Sequence, residues 1–206
     1  MQPFSYSSDL LSGSLQVREC RTIAELLLAQ VTPEQWAAAL YQDNRLQKNS
    51  KITAKRVGDA LRKRLERLDP IFWRFIHDGD LELATQTCFA ATLERNLLLT
   101  EFVETVVADA FTTSADQLAS WQWQDFLDES SQRDPRIAKW TQSSRTRMGQ
   151  MVFRTLAEYG LISSNRTLKL QSVRVRPELR TQLEDSQRSR TLNCMSIAQP
   201  QRLAFS

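Results

Sequence analysis

The sequence predicts a mainly α protein: an amino-terminal helical bundle over residues 1–130, a carboxyl-terminal winged-helix-like unit with a small β-hairpin over 131–186, and an extended tail over 187–206. Three observations carry that prediction. Five glycines and six prolines in 206 residues are too few for many strands joined by tight turns. Apolar residues recur at spacings of three and four between capping residues. Strand-like alternation occurs once, at Leu168, Leu170, Val173 and Val175, directly after a helical pattern.

Ser14 is placed to cap a first helix reaching about Gln30, with Leu15, Cys20, Ile23, Leu27 and Val31 as its stripe. Thr32-Pro33-Glu34-Gln35 joins an N-cap, a proline at the first helical position and a glutamine three residues after the cap, so a second helix starts there. Thr53 is the predicted cap of a third helix carrying Val57, Leu61, Leu65 and Leu68. Asp69-Pro70 ends it and opens a helix that stops at Gly79. Asp80 caps the next, and helical patterning continues to Phe111 as two helices or one kinked helix. Ser114 and Ser120 read as caps of two short segments, and Ser130 to Pro135 as a linker. Ser143 or Ser144 then caps a helix that ends at Gly160, followed by the hairpin and by a last helix near Glu178 to Glu184. From Gln187 onward no periodicity is evident.

A net charge of only +3 conceals a sorting of charge along the chain. Arg45 to Arg67 holds nine basic residues against two acidic ones, Asp78 to Glu129 holds eleven carboxylates against Arg95 alone, and Arg133 to Arg190 returns to a balance of +8. Two basic blocks flanking an acidic one point toward nucleic acid on one surface and a basic partner on another.

On a helical wheel with Val57 at zero, the apolar stripe of residues 53–68 spans about 0° to 80°, and Lys51, Lys55, Arg56, Arg62 and Lys63 fall between roughly 120° and 260°. They face away from the core and, with Lys48, form a candidate phosphate-binding face; Arg64 lies at the stripe's edge and reads as structural. On the later helix Arg147, Gln150 and Arg154 turn outward together, with Arg145 beside them. Arginine reaches phosphates and guanine edges and glutamine pairs with adenine, so these types suit a groove. Lys169, Arg174 and Arg176 interleave with the strand apolars and are candidate wing contacts. In the acidic block, Glu101, Glu104 and Asp109 are candidate docking residues for a basic partner.

Catalysis has little to stand on. His77 is the lone histidine, and no nucleophile–histidine–carboxylate set can be assembled around it. Cys20, Cys88 and Cys194 are odd in number and lack CxxC spacing, which argues against a metal site or a disulfide framework and fits buried thiols in a reducing compartment. Five glycines leave no phosphate loop, so no cofactor is expected. The five tryptophans read mostly as core. With no apolar run of 18 residues and neither a basic leader nor an apolar stretch in Met1 to Asp9, the expectation is a cytoplasmic protein without membrane contact.

Asn44-Arg45-Leu46-Gln47-Lys48, Thr53-Ala54-Lys55-Arg56-Val57, Leu61-Arg62-Lys63-Arg64-Leu65, Asp80 to Arg95 and Phe102-Val103 together resemble the BrxA family, small accessory proteins of bacteriophage exclusion (BREX) defence systems. Trp140, the stretch from Ser144 to Leu156 and Gly160-Leu161 are similar to the family's carboxyl-terminal half, so the resemblance covers the chain from about Ser14 to Val175. It implies a helical fold related to the antitermination protein NusB, binding of double-stranded DNA without catalysis, and a role in restricting phage beside other BREX components. The NusB-like fold also keeps RNA open as a ligand, and a purely protein-binding scaffold is the remaining alternative. No catalytic residue is carried over from the family, and the choice of DNA-contacting side chains rests on the wheel.

Overall fold

The computed structural model of the chain describes Tyr6 and residues 13–198. Helix α1, Val17–Leu28, begins after Gln16, whose φ of 52° redirects the chain. Ser14 does not cap it; its hydroxyl donates to Glu158 Oε1 at 2.8 Å and ties the start of α1 to a distant helix. Helix α2, Pro33–Ala37, has the complete capping box: Thr32 Oγ1 accepts from Gln35 N at 3.3 Å and Gln35 Oε1 from Thr32 N at 2.8 Å. A π-helical turn, Ala38–Gln42, extends it. Helix α3, Lys51–Leu65, is capped by Ser50 rather than Thr53, because Ser50 Oγ accepts from Thr53 N at 3.2 Å. Lys51 thereby enters the first turn.

Helix α4, Pro70–Asp78, starts and stops where Asp69-Pro70 and Gly79 predict. Helix α5, Leu81–Arg95, is capped by Asp80, whose Oδ1 accepts from Leu83 N at 2.9 Å. Asn96 ends α5 and caps α6, Leu97–Phe102, by accepting from Leu99 N at 3.0 Å, which settles the choice for separate helices. A π-helical turn, Val103–Val107, leads into α7, Ala108–Thr112. Beyond it come α8, Gln122–Arg133, α9, Gln142–Tyr159, α10, Pro177–Asp185, and α11, Ser189–Ser196. Among the described residues no helix is long and apolar enough to cross a membrane.

Helix α5 is the axis of the molecule. Ten of its fifteen residues are buried, and it packs against α1, α3, α4, α6, α9, α10 and α11. A helix enclosed on all sides has no polar face to alternate with an apolar one, so small side chains (Ala84, Ala90, Ala91) admit close neighbours while Phe89 stacks on Tyr159 at 4.0 Å. Burying Phe89 or Leu93 contributes about 1.5–3 kcal/mol each. The buried residues form one cluster running from Tyr6 to Ala198, across the boundary expected at 130/131.

Several expectations are corrected. The segment Ser130 to Pro135 is not a linker: α8 runs through Arg133, Ser130 is fully buried, and Asp134 accepts from Tyr6 N at 3.0 Å. Ser114 has a φ of 56° in a turn and Ser120 opens no helix. Thr141, not Ser143 or Ser144, caps α9, accepting from Ser144 N at 3.2 Å, while Gly160 closes it at φ 101° as the left-handed geometry requires. The β-hairpin is absent from the described residues: Leu168, with a φ of 53°, interrupts the run, and only two isolated bridges, Gln117 to Lys169 and Ile162 to Leu170, remain. A winged-helix unit is therefore not formed in the expected way. The described part of the tail expected to be extended instead folds into α11, with Thr191, Leu192, Cys194 and Met195 buried against α5; residues 199–206 of that expectation lie outside the described residues.

Candidate nucleic-acid interface

The sorted charges of the sequence neutralise one another across the fold. Six carboxylates of the acidic block are tied to arginines of the second basic block: Asp80 and Glu82 to Arg176, Glu94 to Arg188, Glu101 to Arg133, Glu104 to Arg190 and Asp128 to Arg145. Arg176 also holds Glu178 at 2.6 Å, and these carboxylates push its guanidinium further toward the charged form. In the same place Gln86, buried in α5, donates to the Arg174 carbonyl at 2.9 Å and accepts from Arg176 N at 2.8 Å, so side-chain amide and guanidinium together clasp the start of α10.

This arrangement divides the expected DNA-contacting residues in two. Lys48 pairs with Glu19 at 2.6 Å with little exposure, and Arg145 lies against Asp128 and the Gln124 carbonyl with its side chain 15% exposed. Together with Arg176 these are structural. Lys55 is paired with Asp59 at 2.8 Å, Arg62 with Glu66 at 2.7 Å and Arg154 with Glu158 at 2.9 Å, each one helical turn apart and open to solvent. Such exposed pairs contribute about 0–1 kcal/mol, so a phosphate can displace the carboxylate cheaply. Arg62 also lies 4.8 Å over the Trp36 ring, which fixes its stem.

Among the described residues, no ion pair engages Lys51, Arg56, Lys63, Arg147, Lys169 or Arg174, and Gln150 is exposed beside Arg147. Lys51, Arg56 and Lys63 span about 18 Å of α3 at 1.5 Å per residue. Arg67, which the wheel did not single out, joins Lys63, Arg95 and Glu66 around a shallow pocket of about 490 Å³ near the end of α3. Ile52, 82% exposed, stands inside the basic row, where neither stripe nor charge pointed to it. Arg64 is buried and donates to the Ser14 carbonyl at 2.9 Å, as its place on the wheel implied.

Like α4, α6 and α11, helices α3 and α9 have no carboxylate in the first turn, whereas α1, α5, α8 and α10 place Glu19, Glu82, Asp125 and Glu178 there. An acid near the helix amino terminus stabilises by about 0.3–1 kcal/mol, so these two helices forgo that term and keep a positive end. The two basic faces also approach each other. Lys48, just ahead of α3, and Arg154, on α9, line one open cleft of about 510 Å³ with Arg18 and with their own partners Glu19 and Glu158.

The acidic candidates fare differently. Glu101 accepts from Tyr6 and Arg133, and Glu104 from Nε and Nη2 of Arg190 at 2.6 Å; this pairing lowers the Glu104 pKa. Asp109 is exposed, with no ion pair among the described residues. The three cysteines are buried free thiols, and no group of His, Cys, Asp and Glu among the described residues could hold a metal ion. Trp36 and Trp123 are buried, Trp73 and Trp140 partly so, and Trp121 is 61% exposed.

Comparison with known proteins gives a consistent result. The family model BrxA matches residues 4–187. "BREX protein BrxA" of Paramagnetospirillum magneticum is 35% identical over 193 residues, 94% of this chain and 97% of that protein. "BREX protein BrxA" of Escherichia coli O9:H4 is 32% identical, over 87% of this chain and 84% of that protein. The crystal structure of an uncharacterized protein from Magnetospirillum magneticum superimposes with a TM-score of 0.86 at 33% identity, covering 93% of this chain and 98% of that one.

Proposed function

The chain belongs to the BrxA family of BREX phage-defence systems, and on that premise we propose that it is a non-enzymatic protein that binds double-stranded DNA and docks another BREX component. The observation that carries the DNA half is the set Lys51, Arg56 and Lys63 on the outer side of α3 with Arg147 and Gln150 on α9: exposed side chains without carboxylate partners among the described residues, in a fold that pairs most other arginines.

Leaving cations unpaired on two helices with acid-free first turns gives up intramolecular stabilisation that a polyanion restores. Phosphates set the affinity and register, because Lys and Arg at fixed positions on rigid helices match a regular array of charge. Lys55, Arg62 and Arg154 add to the contact by exchanging Asp59, Glu66 and Glu158 for phosphate. Competition between duplex DNA and duplex RNA of equal length for the full chain tests this reading: preference for DNA supports it, and preference for RNA overturns it.

A further inference from the structure

Trp121 is the most exposed aromatic side chain among the described residues, at 61%, and it stands over an open groove of about 460 Å³. Val106 and Phe126 form the groove's apolar floor, and Asp109, Asp125 and Glu129 its rim. The lining contains no lysine or arginine. Trp121, Asp125 and Glu129 follow one another at four-residue intervals, so they share one face of α8, and Asp109 closes the opposite wall from α7.

We propose that this groove captures an arginine-bearing basic segment of a partner protein. It deepens the docking half of the proposed function and rests on it. The chemistry follows from the contrast with the rest of the acidic block. Asp80, Glu82, Glu94, Glu101, Glu104 and Asp128 are already held by arginines of this chain, whereas no ion pair among the described residues engages Asp109, Asp125 or Glu129. Of the block's remaining carboxylates, Asp78 lies beside His77 and Asp116 lies outside the groove, and the other three surround an exposed indole. A guanidinium is the group that satisfies both: its flat face stacks on the ring while its edges donate to two carboxylates. The fold already contains the first half of this contact, with the Arg62 guanidinium 4.8 Å over Trp36. DNA is repelled from the groove by the same three carboxylates, so docking and DNA binding occupy different surfaces.

The test is fluorescence anisotropy of a labelled, end-blocked peptide of alternating glycine and arginine, titrated with the full chain at near-physiological salt. Trp121→Ala changes no charge and removes an exposed side chain, so it leaves the fold intact; it weakens binding by about five- to thirtyfold, the factor a cation–π contact of about 1–2 kcal/mol provides. Trp121→Phe recovers much of that loss, and Asp125→Asn with Glu129→Asn flattens the salt dependence. Peptide affinity unchanged by Trp121→Ala overturns the proposal, since plain charge attraction would then explain the binding. Recovery of BREX components with the chain from cells separates the two readings. Loss of recovery in Trp121→Ala supports the groove, and full recovery in that variant overturns the groove while leaving docking standing. A wild-type chain that recovers no component sinks the docking reading itself, and the groove as a partner site falls with it.

Discussion

Lys48 Nζ lies 2.6 Å from Glu19 Oε1, and the two side chains keep only 19% and 14% of their exposure. The pair fastens the segment before α3 to α1, so Lys48 belongs to the scaffold although its sequence neighbours belong to the surface. Lys48→Ala is expected to lower stability by about 1–3 kcal/mol, because a mostly buried carboxylate is left uncompensated. Lys51→Ala, three residues away and exposed, is expected to stay within about 0.5 kcal/mol. Urea denaturation of the two variants checks the contrast.

Arg145 separates in the same way from Arg147. Its side chain donates to Asp128 and to the Gln124 carbonyl, and its own carbonyl accepts from Trp123 Nε1 at 3.0 Å. Arg145→Ala is expected to loosen α8 from α9, lowering stability by about 1–3 kcal/mol. DNA affinity measured on the folded fraction should hold. Arg147→Ala is expected to do the reverse, with an unchanged denaturation midpoint and weaker binding.

Asp134 supplies a pH signature. The Arg136 guanidinium holds its carboxyl down at about 2, helped by the backbone N–H groups of Tyr6 and Arg136. A carboxylate whose folded pKa is depressed stabilises above its unfolded value near 3.9, and that stabilisation is lost as pH falls toward about 2. The wild-type denaturation midpoint should therefore fall between pH 4 and pH 2 by more than that of Asp134→Asn, and the two should converge at the acid end. A difference between them independent of pH would contradict this role.

The inner face of α3 tests the packing. Leu61 and Leu65 are fully buried, so Leu61→Ala or Leu65→Ala is expected to cost about 2–5 kcal/mol in denaturant unfolding. Changing Lys51, Arg56 and Lys63 together to Ala on the outer face should leave the midpoint nearly in place, since alanine has the highest helix propensity.

Several helix starts and stops are legible in the sequence because their signals are local. Thr32-Pro33, Asp69-Pro70, Asp80 and Gly160 act within a few residues of themselves and appear where predicted. The wheel likewise separated Leu61 and Leu65 from Arg56 and Lys63, since that depends on period alone. What could not be read was long-range. Ser14 looked like a cap, but its partner Glu158 lies 144 residues away. Helix α11 carries its buried residues Thr191, Leu192, Cys194 and Met195 over only two turns, too short a pattern to read alone, and its burial is set by α5 and by Glu94 and Glu104 from elsewhere in the chain. The charge blocks are plain in the sequence, yet their mutual pairing, which engages Lys48, Arg145 and Arg176 and likewise Glu101 and Glu104 within the chain itself, exists only in three dimensions. Trp121 was grouped with core tryptophans because an amphipathic context does not reveal which end of a helix is covered.

The central claim is that unpaired cations on α3 and α9 neutralise DNA phosphates, and a salt-titrated binding curve on duplex DNA tests it most directly. The measurement compares the wild-type chain with a variant in which Lys51, Arg56, Lys63 and Arg147 are all alanine. Four phosphate contacts contribute a slope of about −3.6 in log K against log salt, so the variant's slope should be shallower by about that amount, with its thermal midpoint unchanged. A folded variant that binds duplex DNA with the wild-type affinity and the wild-type salt slope would contradict the account.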